Sequence, residues 1–362
     1  MAYTTIDDPS KHFQTVMYVG NQSTNAITFN GYSDLDADLV WIKQAGNATN
    51  SDDLEAPYLF DSTRGPLNVL SLNTTDVATD VSGSLTSFDS DGFTLGAWHR
   101  PNKSGKNILG MAWHANGGTT STNTDGAVSS TLQVNTEAGF SIAECTMGSS
   151  NESVGHGLSQ APNIQLGKAV NRDDSNGGWI LYTDKIDGSW DYFGNLNSAP
   201  VKSNSALSAP TSTTWIEGGS GTVAYRDKIV YLWHEVKGFS KFGTYEGNQF
   251  GHGPTIITGF APELVIIFNV NTSHYFTWHA YSTGEATAGG VITGAPGNPN
   301  SAAFRNTTNP VNPAYGEIDM YSNGFRIITT ESEENTREAT YFYMAFAAHP
   351  WVTSTGVPCT AR

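Results

Sequence analysis

Aromatic side chains grouped between turn residues are the clearest candidates for ligand binding in this sequence. Trp190, Tyr192 and Phe193 fall within the six residues 189–194. Flat rings that are exposed together can stack on sugar rings, because each ring offers a broad apolar face. These three residues are therefore the first candidates for a carbohydrate-binding loop. The preferred interpretation is that Trp190 and Phe193 cover an edge of the hydrophobic core.

Trp98 is a second, similar candidate. It stands in the run Trp98-His99-Arg100, which is a weaker candidate than the loop around Trp190. We predict a ligand-binding role for Trp98 on the same grounds.

The sequence contains no recognisable catalytic or metal-binding set. Phosphate-binding loops, zinc-protease motifs and nucleophile elbows have characteristic spacings, and none occurs here. The run 89–92, Asp-Ser-Asp-Gly, resembles part of a calcium loop, but its neighbours lack the remaining ligands, and an Asp-Gly turn explains it better. We predict no catalytic residues, no metal and no cofactor. A carboxylate pair that hydrolyses glycosides is a less favoured alternative, because no pair stands out.

Histidines are dispersed along the chain. His156 and His252 each stand in a Gly-His-Gly turn, and the repeated position indicates a structural task such as capping the turn. His274 and His279 flank an aromatic strand without an acidic residue close in sequence.

Composition and charge exclude several classes of partner. Charged residues make up only 14% of the chain, and acidic residues outnumber basic ones by 34 to 18, for a formal net charge of −16. Such a surface repels phosphate backbones and anionic membranes, so we expect neither nucleic-acid binding nor membrane insertion. The two cysteines, Cys145 and Cys359, predict one buried thiol and one thiol near the C-terminus.

Short apolar runs bounded by Gly, Asn, Asp or Pro indicate an all-β protein. One order of signals recurs three times, at a period close to one β-sandwich of ~100 residues. It comprises an opening strand, a strand after a turn, aromatic-bearing short strands, a turn before Phe and an apolar closing strand. Asp91-Gly92 and Asn323-Gly324 suit hairpin turns, whereas Thr214-Trp215 replaces that dipeptide in the second copy.

The fold prediction is therefore three tandem related β-sandwich or jelly-roll-like modules, each closing its own two-layer core. The predicted boundaries are 1–117 for the first module, 118–126 for a linker, 127–237 for the second module, 238–349 for the third and 350–362 for a C-terminal tail. The tail is expected to dock on a neighbouring element.

Several longer stretches resemble an uncharacterised repeat family of marine bacteriophages. The similar stretches are 1–10, 13–30, 38–43, 59–65, 87–96, 139–142, 154–158 and 238–245. The resemblance implies a virion protein of the tail-fibre-like kind with no catalytic residues to carry over. The family's Lys at the end of the strand after the turn is present as Lys43 and Lys168, but Phe268 replaces it in the third copy.

These observations predict a structural, non-enzymatic protein on the surface of the virion, made in the host cytoplasm. A tail fibre or spike that binds a host surface glycan is favoured, and a capsid or tail decoration or attachment protein without a host ligand is the alternative. The expected partners are other virion proteins and a host glycan. A homo-oligomer is expected, and a trimer is favoured because fibres and spikes are commonly three-fold.

Overall fold

The computed structural model describes residues 3–44, 56–172, 177–193, 202–203, 207–218, 226–271, 276–283, 286–287, 291–292, 304–305 and 318–359. Nearly all regular structure within these ranges is β-strand, which confirms the predicted all-β class. The helical segments are one short helix, α1 (His99–Asn102), and single 3₁₀ turns at Pro9–Lys11 and Tyr281–Thr283. Among the described residues, no helix has the length and apolar character that a membrane crossing requires.

Strands follow one another closely along the chain. The first group is β1 (Phe13–Val19), β2 (Asn25–Ile27), β3 (Leu39–Gln44), β4 (Tyr58–Asp61), β5 (Asn68–Ser71), β6 (Thr79–Asp80), β7 (Leu85–Asp89), β8 (Gly92–Leu95) and β9 (Asn107–Trp113). The second is β10 (Ser121–Asn123), β11 (Ser130–Asn135), β12 (Phe140–Met147), β13 (Glu152–Gly155), β14 (Ile164–Ala169), β15 (Ile180–Thr183), β16 (Asp191–Phe193), β17 (Lys202–Ser203), β18 (Thr214–Glu217) and β19 (Arg226–Trp233). The third is β20 (Ser240–Glu246), β21 (Thr255–Ile257), β22 (Phe260–Asn269), β23 (Thr277–Ala280), β24 (Ala286–Thr287), β25 (Val291–Ile292), β26 (Phe304–Arg305), β27 (Ile318–Tyr321), β28 (Gly324–Ile327) and β29 (Thr340–Pro350).

Three large antiparallel sheets share one pairing pattern. Their strand orders are β1-β9-β3-β4-β5-β6 in sheet 1, β10-β11-β12-β19-β14-β15-β16-β17 in sheet 2 and β20-β29-β22-β23-β26 in sheet 3. In each, the long apolar strand β9, β19 or β29 lies between the opening strand and the strand that follows the predicted turn. A central strand is covered on both faces, and this explains why its apolar residues run without alternation.

Smaller sheets cover the outer face of each large sheet. They are β2-β8-β7 for sheet 1, β13-β18 for sheet 2 and β21-β28-β27 for sheet 3. Val40 and Ile42 of sheet 1 pack with Phe93 and Leu95 of its small sheet. Trp215 packs against the outer face of sheet 2, and Phe325 lies 5.4 Å, ring centre to ring centre, from Tyr343 of sheet 3.

The inner faces of the three large sheets meet in one continuous core, which the sequence analysis did not predict. Residues that alternate with the outer-facing ones, such as Leu39 and Trp41, belong to it. Trp113 of sheet 1 lies 6.1 Å from Trp233 of sheet 2 and 5.4 Å from Phe346 of sheet 3, measured between ring centres. Phe13 lies 5.2 Å from Phe346. The three sheets therefore pack on one another through buried aromatic rings, in addition to packing on their small sheets.

The segment predicted as a linker, 118–126, takes part in this packing. Its strand β10 pairs with β11 at the edge of sheet 2. The backbone N–H of Gly118 donates to Asp38 of sheet 1 and to Gln133 of sheet 2, at 2.8 and 2.9 Å. The stretch is thus tied to both neighbours by hydrogen bonds, although its small polar residues suggested a flexible tether.

The segment after β29 folds back onto its neighbours. Trp351 donates its backbone N–H to the carbonyl of Gly259 at 3.2 Å. Ser354 donates from its backbone N–H and its hydroxyl to the carboxylate of Asp7. Val352 bridges to Pro358 in a small antiparallel turn. These contacts match the expected docking of residues 350–362 as far as Cys359; residues 360–362 lie outside the described ranges.

Candidate ligand-binding cleft

An open cleft of about 450 Å³ lies in the first third of the protein, where the edge of sheet 1 faces α1. The strands β4, β5 and β6 supply one wall, and the turn that leads into α1 supplies the other. The described residues that line it are Ala56, Tyr58, Val69, Ser71, Asn73, Thr74, Asp76, Val77, Thr79, Val81, Trp98 and Arg100.

The two aromatic rings of the cleft hold each other in place. Tyr58 begins β4 opposite Ile42 and Ser71, and its side chain is largely buried. Trp98 is half-buried immediately before α1, and its backbone N–H donates to the carbonyl of Gly83 at 2.8 Å. The ring centres of Trp98 and Tyr58 are 5.0 Å apart and the ring planes are inclined at 63°, an arrangement that favours edge-to-face attraction.

Arg100 sits at the mouth of the cleft. Its Nη1 donates to the hydroxyl of Tyr58 at 2.5 Å, and its guanidinium carbon lies 5.9 Å from the centre of the Tyr58 ring. A guanidinium presents several N–H donors in a fixed plane, so this contact orients a hydrogen-bonding group beside the aromatic wall.

The opposite rim is polar. Ser71, Asn73, Thr74, Asp76 and Thr79 lie along it, and the hydroxyl of Ser71 donates to Asn73 Oδ1 at 2.6 Å. The lining combines aromatic and valine side chains with hydroxyl, amide and charged groups, which gives it the mixed character of a small-molecule site, and the volume falls in the usual range of ~300–1,000 Å³. The cleft is suited to a sugar, which has both apolar ring faces and hydroxyl groups.

Of the four predicted ligand-binding residues, Trp98 lines this cleft. Trp190 belongs to the second third of the chain and is 5% exposed; its ring is stacked on Tyr182 at 6.3 Å and 6°. Protein atoms therefore cover the Trp190 ring, as the core-edge interpretation expects, and a ligand-binding role for Trp190 stays a prediction. Tyr192 and Phe193 lie in β16, opposite Tyr182 and Leu181, but their side chains are outside the described part of the structure, so their role stays a prediction.

Sequence reasoning missed Tyr58 and Arg100 as partners of Trp98. Arg100 is two residues from Trp98 and was noted beside it, whereas Tyr58 reaches the site only through the pairing of β4 with β3. An aromatic residue at the start of a predicted strand was the available signal, and it does not distinguish a cleft wall from a core position.

The acidic run that resembles a calcium loop is engaged by protein donors. Asp89 accepts from the hydroxyls of Ser87 at 2.8 Å and Thr94 at 2.7 Å, and Asp91 accepts from the N–H of Leu35 at 3.2 Å. In the ranges that the structure describes, no three His, Cys, Asp or Glu side chains lie close enough together to hold a metal ion.

His156 and His252 differ in their surroundings. His156 is fully buried and contacts the carbonyl of Thr211 through Nε2 at 3.2 Å, while Leu158 N–H donates to its Nδ1 at 3.0 Å. Its predicted role in holding the turn is confirmed. The side chain of His252 is exposed, so the two turns are not equivalent.

His279 has a buried acidic partner that is distant in sequence. Its Nε2 lies 2.7 Å from Glu334 Oε1, and Thr277 donates its hydroxyl to the same oxygen at 2.7 Å. Both His279 and Glu334 are fully buried, so this pair joins β23 to the loop before β29 instead of facing a ligand. His274 lies outside the described residues.

Asp38 is a buried carboxylate that fixes the loop after β9. Its oxygens accept the N–H groups of Ala115, Asn116, Gly117 and Gly118 at 2.7–2.9 Å. Burial alone would raise the pKa of Asp38, but hydrogen bonds from His114, Ser62 and these backbone groups bring it below its ordinary value. The cluster stabilises the fold at a place remote from the cleft.

One comparison with known proteins finds a match. Residues 8–350 match the model of a protein family described as Domain of unknown function (DUF7483), in one continuous stretch that covers all three large sheets. No curated protein matches the chain.

Proposed function

The chain belongs to the family described as Domain of unknown function (DUF7483), and we propose that it is a structural, non-enzymatic protein of the bacteriophage surface. The resemblance of its sequence to tail-fibre-like virion proteins supports this proposal, as does an acidic all-β architecture. A tail fibre or spike that contacts host surface glycans is the favoured role.

We propose that the fold consists of three tandem related β-sandwich modules at residues 1–117, 127–237 and 238–349, with β10 of the predicted linker 118–126 added to the edge of sheet 2. The shared pairing of opening, closing and following strands supports this description. The N–H groups of Asp38 and Asn163 also occupy equivalent places, since they donate to the carbonyls of Trp113 and Trp233 at 2.9 and 2.7 Å. Gly92 and Gly324 occupy equivalent places too, each with a backbone carbonyl of a neighbouring strand against its Cα.

The observation that carries the adhesion role is the cleft between sheet 1 and α1. A pair of aromatic rings, an oriented guanidinium and a rim of hydroxyl and amide groups meet in a volume that fits a mono- or disaccharide unit. Weak binding at each site would be strengthened by several copies on one particle, by ~10²–10⁴ through effective concentration.

A glycan array tests this role directly. The purified protein, displayed in many copies on a bead, is expected to bind a defined set of glycans. Trp98→Ala should reduce affinity about three- to tenfold, because an aromatic contact contributes ~0.5–1.5 kcal/mol. Tyr32→Ala is the matched control, since Tyr32 is 83% exposed and does not line the cleft.

The array result has clear opposing outcomes. Binding that is abolished equally by both substitutions, or that is unaffected by Trp98→Ala, contradicts a role for the cleft. Release of shorter sugars from a bound glycan would contradict the non-enzymatic proposal. Light scattering of the purified protein checks the proposed trimer independently.

A decoration or attachment role is the second candidate, and exposed apolar residues of the third sheet region favour it. Ile257 and Tyr321 are 61% and 37% exposed, and both pair with Gly324. Trp351, 39% exposed, is hydrogen-bonded to Gly259 nearby. Tight binding to virions stripped of this protein, lost in Ile257→Asp and accompanied by silence on the array, supports this role against adhesion.

A further inference from the structure

We infer that the end of sheet 2 at Arg226 binds a small oxyanion, namely phosphate, sulfate or a small carboxylate, through the guanidinium of that residue. Arg226 is not among the described residues that line the cleft beside α1. The anion site is therefore a second binding site, and it does not depend on the proposed glycan-binding role.

The position of Arg226 in the fold places its side chain between two sheets. It is the first residue of β19 and lies opposite Met147 of β12, at one end of sheet 2. Side chains alternate between the two faces of a strand, so Arg226 points to the same face as Val230. Val230 packs in the layer between sheet 2 and the small sheet β13-β18. Arg226 therefore enters the end of that layer, and the residue is 5% exposed.

Two N–H groups of Arg226 have no acceptor at this place. Neither Nε nor Nη2 has a hydrogen-bond partner in the described part of the chain, and both atoms are buried. These two nitrogens form one edge of the guanidinium, along which the N–H bonds are parallel. Buried polar groups in native proteins are nearly always hydrogen-bonded. The unpartnered edge therefore indicates an acceptor that offers two oxygens and comes from outside the described chain.

Glu217 carries a negative charge near Arg226, but other donors engage its carboxylate. Gln165 donates from Nε2 to Glu217 Oε2 at 2.8 Å, and Trp215 donates from Nε1 to the same oxygen at 3.2 Å. The other oxygen, Oε1, lies 3.1 Å from Lys228 Nζ, and the side chains of this ion pair are almost fully buried. Glu217 is thus already neutralised by a lysine.

Asp227 is the neighbour of Arg226 in sequence, and it points to the opposite face of β19. Its carboxylate accepts from the hydroxyl of Thr146 at 2.8 Å and from Nδ2 of Asn171 at 3.0 Å. Like Glu217, Asp227 therefore has its own donors and leaves the edge of Arg226 unpaired.

The charge of Arg226 and the shape of its open edge define the class of ligand. Burial and the like charge of Arg172 lower the pKa of Arg226, and the charge of Glu217 opposes this change. A bound anion would favour the charged guanidinium. The parallel N–H groups match two oxygens of a carboxylate, phosphate or sulfate group. Because both donors are covered, a small ion can reach them where the surface of a large partner cannot.

Equilibrium dialysis of the full-length protein against radiolabelled phosphate and sulfate tests the inference, with sodium chloride keeping the ionic strength constant. We expect one ion per chain with a dissociation constant of ~1 mM, for a single site built on one bidentate contact. Bound ion should also raise the melting temperature. Competition by unlabelled acetate shows whether a carboxylate is preferred over phosphate or sulfate.

Arg226→Met should abolish binding, and Arg226→Lys should weaken it about tenfold, because lysine keeps the charge without the parallel N–H pair. Arg337→Met is the matched control, because Arg337 is exposed in the loop before β29 and its replacement changes the net charge equally. Arg226→Met is expected to fold, since it replaces a buried, unpaired charge by an apolar side chain of similar length.

Three results would overturn the inference. The first is that the unmodified protein binds none of the three ions, and the second is that binding survives in Arg226→Met. The third is that Arg337→Met loses binding to the same extent, because net charge alone would then explain the effect. If Arg226→Met does not fold, undiminished binding by Arg226→Lys contradicts the inference in its place.

Discussion

Lys168 is a buried cation in β14 of sheet 2. The equivalent position in sheet 3 is occupied by Phe268. Its side chain is fully buried beside Trp179, with the ammonium 6.0 Å from the ring centre and 2.5 Å from the carbonyl of Gly177. Burial lowers the pKa of Lys168 from 10.5 to about 8, although Asp76 opposes the change. The charged form of Lys168 is therefore less stable in the folded protein than in the unfolded chain.

Lys168→Met should stabilise the protein at pH 7. A pKa lowered from 10.5 to about 8 corresponds to ~3 kcal/mol, and the lost hydrogen bond to Gly177 offsets ~1 kcal/mol. Because the unfolded chain binds the proton more tightly, the unmodified protein should gain stability as the pH rises from 8 to 10.5. Urea unfolding of both proteins at pH 7 and pH 9.5 measures this. A variant that unfolds at lower urea than the unmodified protein at pH 7 contradicts the prediction.

His12 makes the protein sensitive to acid. It lies where the three sheets meet, with Asn135 donating to its Nδ1 at 3.0 Å and Phe239 at 5.8 Å between ring centres. Burial lowers the pKa of His12 from 6.5 to about 4, and the nearby His114 adds to this. The unfolded chain binds a proton at His12 at a higher pH than the folded protein does. The folded protein therefore loses stability as the pH falls from 6.5 to about 4.

The size of that loss should be up to ~3 kcal/mol, and His12→Phe should flatten the fall of unfolding free energy over the same interval. Denaturant unfolding at several pH values between 4 and 7 measures the slope. His252→Gln is the control, because the side chain is exposed. An unchanged slope in His12→Phe would mean that other groups cause the acid sensitivity.

Among the elements, the hairpin from β7 to β8 depends on a glycine for a reason that the sequence did not reveal. The dipeptide Asp91-Gly92 predicts a turn, and the hairpin is present. The register nevertheless places Ser90 and Asp91 in the turn, with Gly92 opposite Asp89 as the first residue of β8. Gly92 has φ +127°, and a Cβ there would stand 1.9 Å from the carbonyl oxygen of Ile27. Glycine is therefore required at position 92 by the close approach of β2, and not only by the conformation of the turn.

Gly92→Ala should destabilise the protein by ~3 kcal/mol or more, since backbone atoms must move. Gly105 is a suitable comparison, because it also has positive φ, +73°, but open space around the position of a Cβ. Gly105→Ala should cost only ~1 kcal/mol, the strain of the backbone conformation. Thermal unfolding of the two variants side by side checks the difference, and equal losses would contradict the close contact with β2.

Much of the arrangement of strands was predictable, whereas the way the sheets face one another was not. The recurring turn and strand signals fixed the long central strands, because a continuous apolar run indicates burial on both faces. In β9 the run does not say which side chains meet the small sheet, as Ile108 does, and which meet the shared core, as Trp113 does. Trp98 and Trp190 look alike in sequence, and only tertiary packing leaves the first in a cleft and covers the second.

At the scale of the whole molecule, the shared core predicts that the three sheets unfold together. Independent modules would give separate transitions, but Trp113 contacts both of the other sheets. Scanning calorimetry should show one transition whose calorimetric and van't Hoff enthalpies agree. Trp113→Ala should lower that single transition, by ~3–5 kcal/mol in unfolding free energy. Two or three resolved transitions in the unmodified protein would show that the modules are energetically separate.

The contact between Phe13 and Phe346 has a consequence for how the protein is made. Phe13 in β1 leaves the ribosome early. Its partner Phe346 in β29 follows only after the strands of sheets 1 and 2 have been translated. Until then the inner faces of those sheets lack their final cover, and such exposed surface is prone to aggregate. Pairings between distant parts of a chain also form slowly. A lower growth temperature, which weakens hydrophobic association between exposed faces, should therefore increase the fraction of newly made chains that reaches the native state.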